Sequence, residues 1–125
     1  MDKDTERYIL NLLRQGTVNW KGRAECLKRC RKHVHDGEFF KNGKPKYKFF
    51  WQCAACKSWF RDVSQLEVDH IVEVGPLESW ENIKEYISRL YCGQENLQAL
   101  CSVCHQIKTS KYNSTLRYKR KPRVS

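Results

Sequence analysis

Two Cys-x-x-Cys pairs, Cys53/Cys56 and Cys101/Cys104, are the residues of this 125-residue chain whose spacing points most directly to chemistry. Two intervening residues form a tight turn that aims both sulfurs inward, so each pair can grip one edge of a tetrahedral zinc ion. Four thiolates close the coordination shell, which makes such an ion structural and not catalytic. The 44 residues between the pairs exceed a compact zinc-ribbon interval, so something folded must lie between them. Within that interval, Val68-Asp69-His70-Ile71-Val72 sets a carboxylate beside an imidazole in an apolar run, where plain core filling would have neither. Then follow Glu95-Asn96-Leu97-Gln98-Ala99-Leu100-Cys101 and Cys104-His105-Gln106-Ile107-Lys108-Thr109. His70, Asn96 and His105 thus succeed one another, the last beside a zinc cysteine. Each alone is weak, since a lone histidine is commonly structural and an asparagine before a short strand is commonly a turn former. Together with both cysteine pairs they form a strong pattern. Cys26, Cys30 and Cys92 complete no such pattern and read as core or incidental.

The elements that must position these residues follow from periodicity and punctuation. Asp4 or Thr5 could cap a first helix to about Arg14, with Tyr8, Ile9, Leu12 and Leu13 on its apolar side and Gly16 ending it. Trp20, Ala24, Leu27 and Val34 recur at helical spacing and predict a basic helix over 20–33. Asp36-Gly37 and Asn42-Gly43 mark turns, and Lys46 and Lys48 alternate with Tyr47 and Phe49 in a β-like run. Leu66 to Val74 reads as a strand broken by Gly75-Pro76. Ser79 could cap a helix from Trp80 to about Tyr91. Leu97 to Leu100 is a short apolar strand, and Cys101 to about Tyr112 a final helix. From Ser114 the chain is a basic tail, expected to be mobile unless bound.

With these residues in place, the chain resembles the HNH endonuclease family, in its branch with a four-cysteine zinc knuckle, and is similar to small phage and prophage proteins of that family. The matching segments are CAAC, LEVDHIVEV, ENLQALC and CSVCHQIKT, from about Cys53 to Thr109. The resemblance implies an α+β fold: a ββα-metal core stapled by the zinc knuckle, with an N-terminal helical and hairpin basic extension. The expected organisation is the extension over 1–50, the nuclease domain over 51–113 and the basic tail over 114–125. It also implies roles. His70 would be the general base that takes a proton from water. Asp69 and His105 would hold a divalent ion, Mg2+ or Mn2+, that offsets charge on the phosphate and the leaving oxygen. Asn96 would orient His70, or help bind metal as in some branches. Asp69 and His70 are sequence neighbours and would face opposite sides of a regular strand, so the resemblance implies that the strand ends or bends there. Glu67 and Glu73 read as exposed strand positions.

The net charge is +10 and uneven. Residues 20–50 carry ten Lys and Arg against three acids, residues 108–125 seven against none, and residues 62–95 two against eight acids. Basic arms around an acidic middle suit a polyanion held by its backbone while acids bind metal. Lys28, Arg29, Arg31, Lys32, Lys46, Lys48, Lys108 and Lys111 are the candidate phosphate contacts. No base-reading motif is evident, so the expected partner is DNA, double-stranded, with weak sequence preference. No apolar run reaches the ~20 residues of a membrane span. The opening MDKDTERYIL lacks a signal peptide's apolar core, so the expected location is a reducing cytoplasm, that of a host if phage-encoded. There seven cysteines favour metal over disulfides. The sequence leaves oligomeric state and any phage protein partner open. The expected activity is hydrolysis of DNA phosphodiesters to 5′-phosphate and 3′-hydroxyl ends. The rival is a non-catalytic, zinc-containing nucleic-acid-binding module, for which the set Asp69, His70, Asn96 and His105 would be superfluous.

Overall fold

The computed structural model describes residues 1–120, with side chains to residue 115; residues 121–125 of the basic tail lie outside the described residues. Among the described residues the architecture is α+β, with four α-helices, a three-stranded sheet and a two-stranded sheet. Two compact units interleave along the chain: Met1–Arg31 with Val68–Gln98, and Lys32–Glu67 with Ala99–Ser125. The domain boundaries expected from the sequence run consecutively along the chain.

In the first unit, α1 spans Lys3–Gly16. Its cap is Asp2, two residues earlier than expected, because the Asp2 carboxylate reaches the Thr5 N–H at 2.8 Å and so satisfies an otherwise orphaned donor. Asp4 and Glu6 sit in the first turn and Arg14 in the last, each placed to complement the helix dipole. Helix α2 covers Lys21–Arg29 and stops four residues before the expected His33. His33-Val34-His35 instead pairs as a strand, because a β-branched residue between alternating partners favours the pleat over another helical turn. A 3₁₀ turn over Trp80–Asn82 leads into α3, Ile83–Leu90, and the Ser79 hydroxyl accepts from the Glu81 N–H as expected.

The N-terminal helices grip α3 and the loop after it. Arg14 Nε donates to Tyr86 Oη at 2.9 Å, and Tyr91 Oη donates to the Leu13 carbonyl at 2.5 Å. Trp20 meets Tyr91 edge-on, with centroids 5.2 Å apart. Cys26, Tyr86, Leu90 and Leu97 are buried as this unit's core. Each fully buried large side chain of this kind contributes roughly 1.5–3 kcal/mol relative to exposure.

In the second unit, β1 (Arg31–Phe39), β2 (Pro45–Gln52) and β3 (Trp59–Phe60) pair in that order. The expected Asn42-Gly43 turn joins β1 to β2. Gly43 has φ 82°, a conformation costly for other residues, and Asn42 Oδ1 accepts from the Lys44 N–H at 3.0 Å. Strands β2 and β3 are antiparallel, with Trp51 opposite Phe60 and Gln52 opposite Trp59. Cys53, Leu66, Ala99, Leu100 and Cys101 are buried here.

Strand β4, Leu66–His70, pairs with β5, Leu97–Cys101, and α4 follows over Ser102–Arg120. Two paired strands and a following helix are thus present in the expected order. Two boundaries differ from the sequence reading. Strand β4 ends at His70 and not at Val74, for a reason given below. Helix α4 continues past Tyr112 to Arg120, so the first part of the expected tail is helical. Lys108, Lys111 and the neighbouring polar residues have adequate helix propensity, and no Gly or Pro interrupts them before residue 122. Among the described residues no helix is long and apolar enough to cross a membrane.

Candidate metal centre and catalytic residues

The four cysteines converge in the second unit. Cys53 follows directly on β2, and its N–H donates to the Ser58 carbonyl at 3.0 Å. The chain reverses at once: Lys57 N–H returns to the Cys53 carbonyl at 3.0 Å, and Lys57 takes φ 64°, the only non-glycine positive φ among the described residues. Ala54 N–H donates to the Ala99 carbonyl at 2.8 Å, which holds the CAAC turn against β5. Cys101 ends β5 and Cys104 lies in the first turn of α4. The four sulfurs lie within 4.8 Å of one another, with Cys56 Sγ 3.9 Å from Cys101 Sγ. Zinc–sulfur bonds of ~2.3 Å at tetrahedral angles separate two sulfurs by ~3.8 Å, so the cluster has the dimensions of a closed zinc site. All four cysteines lack disulfide partners.

The thiols are electrostatically unequal. The Ser58 hydroxyl and its backbone N–H hold exposed Cys56 down at about 6, so it is a thiolate at neutral pH. A hydrogen bond shared with Cys101, together with burial and the neighbouring Cys53 and Cys56 sulfurs, pushes Cys104 up to about 12. Burial raises Cys53, but the backbone donors of Cys101, Cys56 and Ala55 outweigh it and the net shift is downward. A divalent cation would relieve this inequality, because its charge favours the thiolate form of every sulfur that faces it. In the first unit, burial raises both Cys26 and Cys92, and Cys30 Sγ lies 3.3 Å from the Leu27 carbonyl. Cys26 and Cys92 are protonated thiols there, as suits side chains that belong to the packing.

Asp69, His70 and Asn96 all fall in the first unit. Asp69 Oδ2 accepts from Gln98 Nε2 at 3.1 Å. His70 Nε2 lies 2.8 Å from the Leu90 carbonyl, at the end of α3. A carbonyl only accepts, so Nε2 carries the proton and the lone pair of the neutral ring is on Nδ1. Asn96 terminates the strand beyond them. Its carbonyl takes the Ile71 N–H at 2.8 Å, its Oδ1 takes the Val72 N–H at 2.8 Å, and its Nδ2 donates to the Val72 carbonyl at 3.2 Å. An amide side chain that occupies both backbone groups of Val72 replaces the next step of the strand ladder, which is why β4 ends at His70. The Asn96 side chain is expected on His70 or on metal; in the structure it is bonded to the Val72 backbone.

The Asn96 loop is itself held from the N-terminal helices. Arg29 donates through Nε to Gln94 Oε1 at 3.0 Å and through Nη2 to the Gln94 carbonyl at 3.1 Å, and Gln94 Nε2 donates to the Gly22 carbonyl at 2.8 Å. Arg29, expected on phosphate, is here a brace for this loop.

His105 falls in the second unit, on α4, with Nδ1 2.6 Å from Glu67 Oε2. A carboxylate on Nδ1 fixes the tautomer that presents an Nε2 lone pair, the usual way in which a metal-binding imidazole is oriented. Glu67 is exposed as expected, yet paired, which the sequence reading missed. It also passed over Gln94 and Gln98, which carry no signal of their own beyond their position beside Asn96.

The other basic candidates are dispersed. Lys28 is exposed on α2, and Arg31 and Lys32 are on β1 and not on the helix that the sequence suggested. Lys46 lies 4.0 Å from Glu38 and Lys48 3.9 Å from Asp36. Lys108 and Lys111 lie on α4.

No family model and no solved structure matches the chain. It is similar to the "Probable HNH endonuclease" of Lactococcus phage SK1, with 38% identity over 60 residues, covering 48% of this chain and 55% of that protein. The chain thus spans about half the length of the curated relative it matches. That likeness and the four-cysteine cluster agree with the resemblance read from the motifs.

Proposed function

We propose that this chain is a metal-dependent endonuclease of HNH type that hydrolyses DNA phosphodiester bonds, with zinc in the four-cysteine cluster. The observation that supports it best is the way β4 stops at His70. Asn96 pins Val72, Gln98 holds Asp69, and Leu90 holds the His70 ring, so a carboxylate and a basic nitrogen are fixed at the very end of a strand. The likeness to a phage protein named as an endonuclease supports the same class.

In this reading His70 takes a proton from the attacking water through Nδ1, while the bond to Leu90 keeps the ring oriented and stabilises the charge that it acquires. The candidate ligands for a divalent ion, Mg2+ or Mn2+, are Asp69 in the first unit and, in the second, His105 through Nε2 with Glu67 behind it. When bound, such an ion neutralises developing charge on the phosphate and the leaving oxygen. Gln98 keeps the Asp69 carboxylate in one orientation. Lysines of α4 and of the hairpin contribute sequence-independent attraction to the phosphate backbone, so affinity should fall steeply with salt.

Supercoiled plasmid with the zinc-loaded chain and added Mg2+, Mn2+ or Ni2+ is the direct test. Nicked or linear product is expected. Tight DNA binding with intact plasmid under every metal would make the chain a non-catalytic zinc module instead.

A further inference from the structure

The two faces of the β1–β2 hairpin differ in a way that the nuclease reading does not use. Successive residues of a strand point to opposite sides, so Tyr47, Phe49 and Trp51 share one face of β2 and Lys46, Lys48 and Phe50 the other. The lysine face is already partnered. Lys46 pairs with Glu38, Lys48 with Asp36, and Lys32 lies 4.1 Å above the Trp59 ring. Both acids of the hairpin are neutralised there.

The ring face holds aromatic and imidazole side chains in continuous contact. His33 stacks on Phe49 with centroids 4.4 Å apart and planes 10° from parallel, and it also meets Tyr47 at 4.5 Å. His35 meets Tyr47 at 5.6 Å and Phe39 at 5.3 Å, and Phe49 meets Trp51 at 6.0 Å. This face is open: Phe39 is 60% and Tyr47 50% exposed.

We propose that this ring face binds the unpaired bases of a single-stranded nucleic acid. Three features select that occupant. Residues two apart on one strand are spaced by about 6.7 Å, and the Phe49 and Trp51 rings themselves by 6.0 Å, on the scale of two stacked base steps, so a strand laid along β2 can meet them in succession. The His33–Phe49 stack demonstrates that the face accepts a flat heteroaromatic ring at stacking distance. Charge is complementary as well: the hairpin, residues 31–52, carries six Lys and Arg against two acids, and both acids, Asp36 and Glu38, face the lysines of the other side. A second copy of this chain would bring a like-charged hairpin to the face, whereas a polyanion is attracted to it. Base–aromatic stacking tolerates any sequence, since every base has a π-face. The inference rests on the nucleic-acid class of the proposed function, and not on cleavage.

The test compares binding of a labelled oligothymidylate about 15 nucleotides long with that of a blunt duplex of equal length, without added divalent ions. Zinc-loaded full-length chain is used, with Tyr47→Ala, His35→Ala and Tyr47→Phe. The single strand should bind more tightly than the duplex. Tyr47→Ala and His35→Ala should each weaken it, Tyr47→Ala on the order of tenfold, while Tyr47→Phe retains it and duplex affinity is unchanged. Circular dichroism checks that each half-exposed substitution leaves the fold intact. Equal affinity for both forms, untouched by Tyr47→Ala, overturns the inference. So does a dimer in sedimentation that Tyr47→Ala dissolves and oligothymidylate does not compete with, because a second copy would then own the face. A chain that cuts plasmid but gives either of those results loses this inference and keeps the nuclease reading. A chain that binds the strand through Tyr47 but never cuts does the reverse.

Discussion

His105 Nδ1 lies 2.6 Å from Glu67 Oε2. An imidazole so held presents Nε2, and its orientation depends on a carboxylate that the motif alone does not mark as functional. Removing such a partner commonly costs 10–100-fold in metal affinity. Glu67→Gln should therefore weaken Mn2+ binding to the zinc-loaded chain by ~10-fold or more, read by titration calorimetry, and His105→Ala should abolish the same site. If Glu67→Gln binds Mn2+ like the parent while His105→Ala does not, Glu67 is a surface ion pair without a metal role.

The sulfur cluster makes a stoichiometric statement. Elemental analysis should find one zinc per chain, retained under mild chelation that removes the weaker divalent ion. Cys56→Ser should release it and lower the thermal midpoint by many degrees, because a structural zinc ligand carries a large part of a small domain's folding energy. A variant as heat-stable and zinc-loaded as the parent would show that the four sulfurs hold nothing.

In the metal-free chain the thiols should separate by pH. Cys56 is lowered from 9.0 to about 6, so its thiolate stabilises the fold fully above pH 9, and that contribution is lost as pH falls toward 6. Cys104 is raised from 9.0 to about 12, so its neutral form is favoured, and its contribution is lost as pH rises above 9. At pH 7 iodoacetamide should modify Cys56 quickly and Cys104 slowly, with the Cys56 rate falling through a midpoint of about pH 6. Zinc should protect both. A common midpoint near 9 would contradict the ordering.

What the sequence made legible was the chemistry-bearing spacing. The spacing in CAAC and in CSVC sets two sulfurs side by side in each pair, the fold brings the pairs together, and Ser79, Asn42-Gly43 and the apolar run of β5 punctuate the elements as residue type demands. The misses have different causes. Asp2 caps α1 in place of Asp4 or Thr5 because it is the carboxylate that reaches the Thr5 N–H, a choice among neighbours that residue type leaves open; the end of α2 at Arg29 follows from a competing periodicity, and the end of β4 at His70 from a partner distant in sequence. For β4 the partner is Asn96, 24 residues away, whose amide satisfies Val72 better than the ladder could. The pairing of Glu67 with His105, and the roles of Gln94 and Gln98, escaped notice because nothing in composition or spacing marks a supporting side chain; only its distance to the residue it supports does. Arg29 looked like a phosphate contact for the converse reason, since charge pattern cannot tell a brace from a ligand site.

The account stands most directly on His70 as the base. Parent and His70→Ala chains, both zinc-loaded, should be compared for plasmid cleavage and for DNA binding under the metal that supports the most activity. The account predicts that His70→Ala binds DNA as the parent does and loses cleavage by at least ~100-fold, the scale of a missing general base. Equal cleavage by the two chains would contradict it.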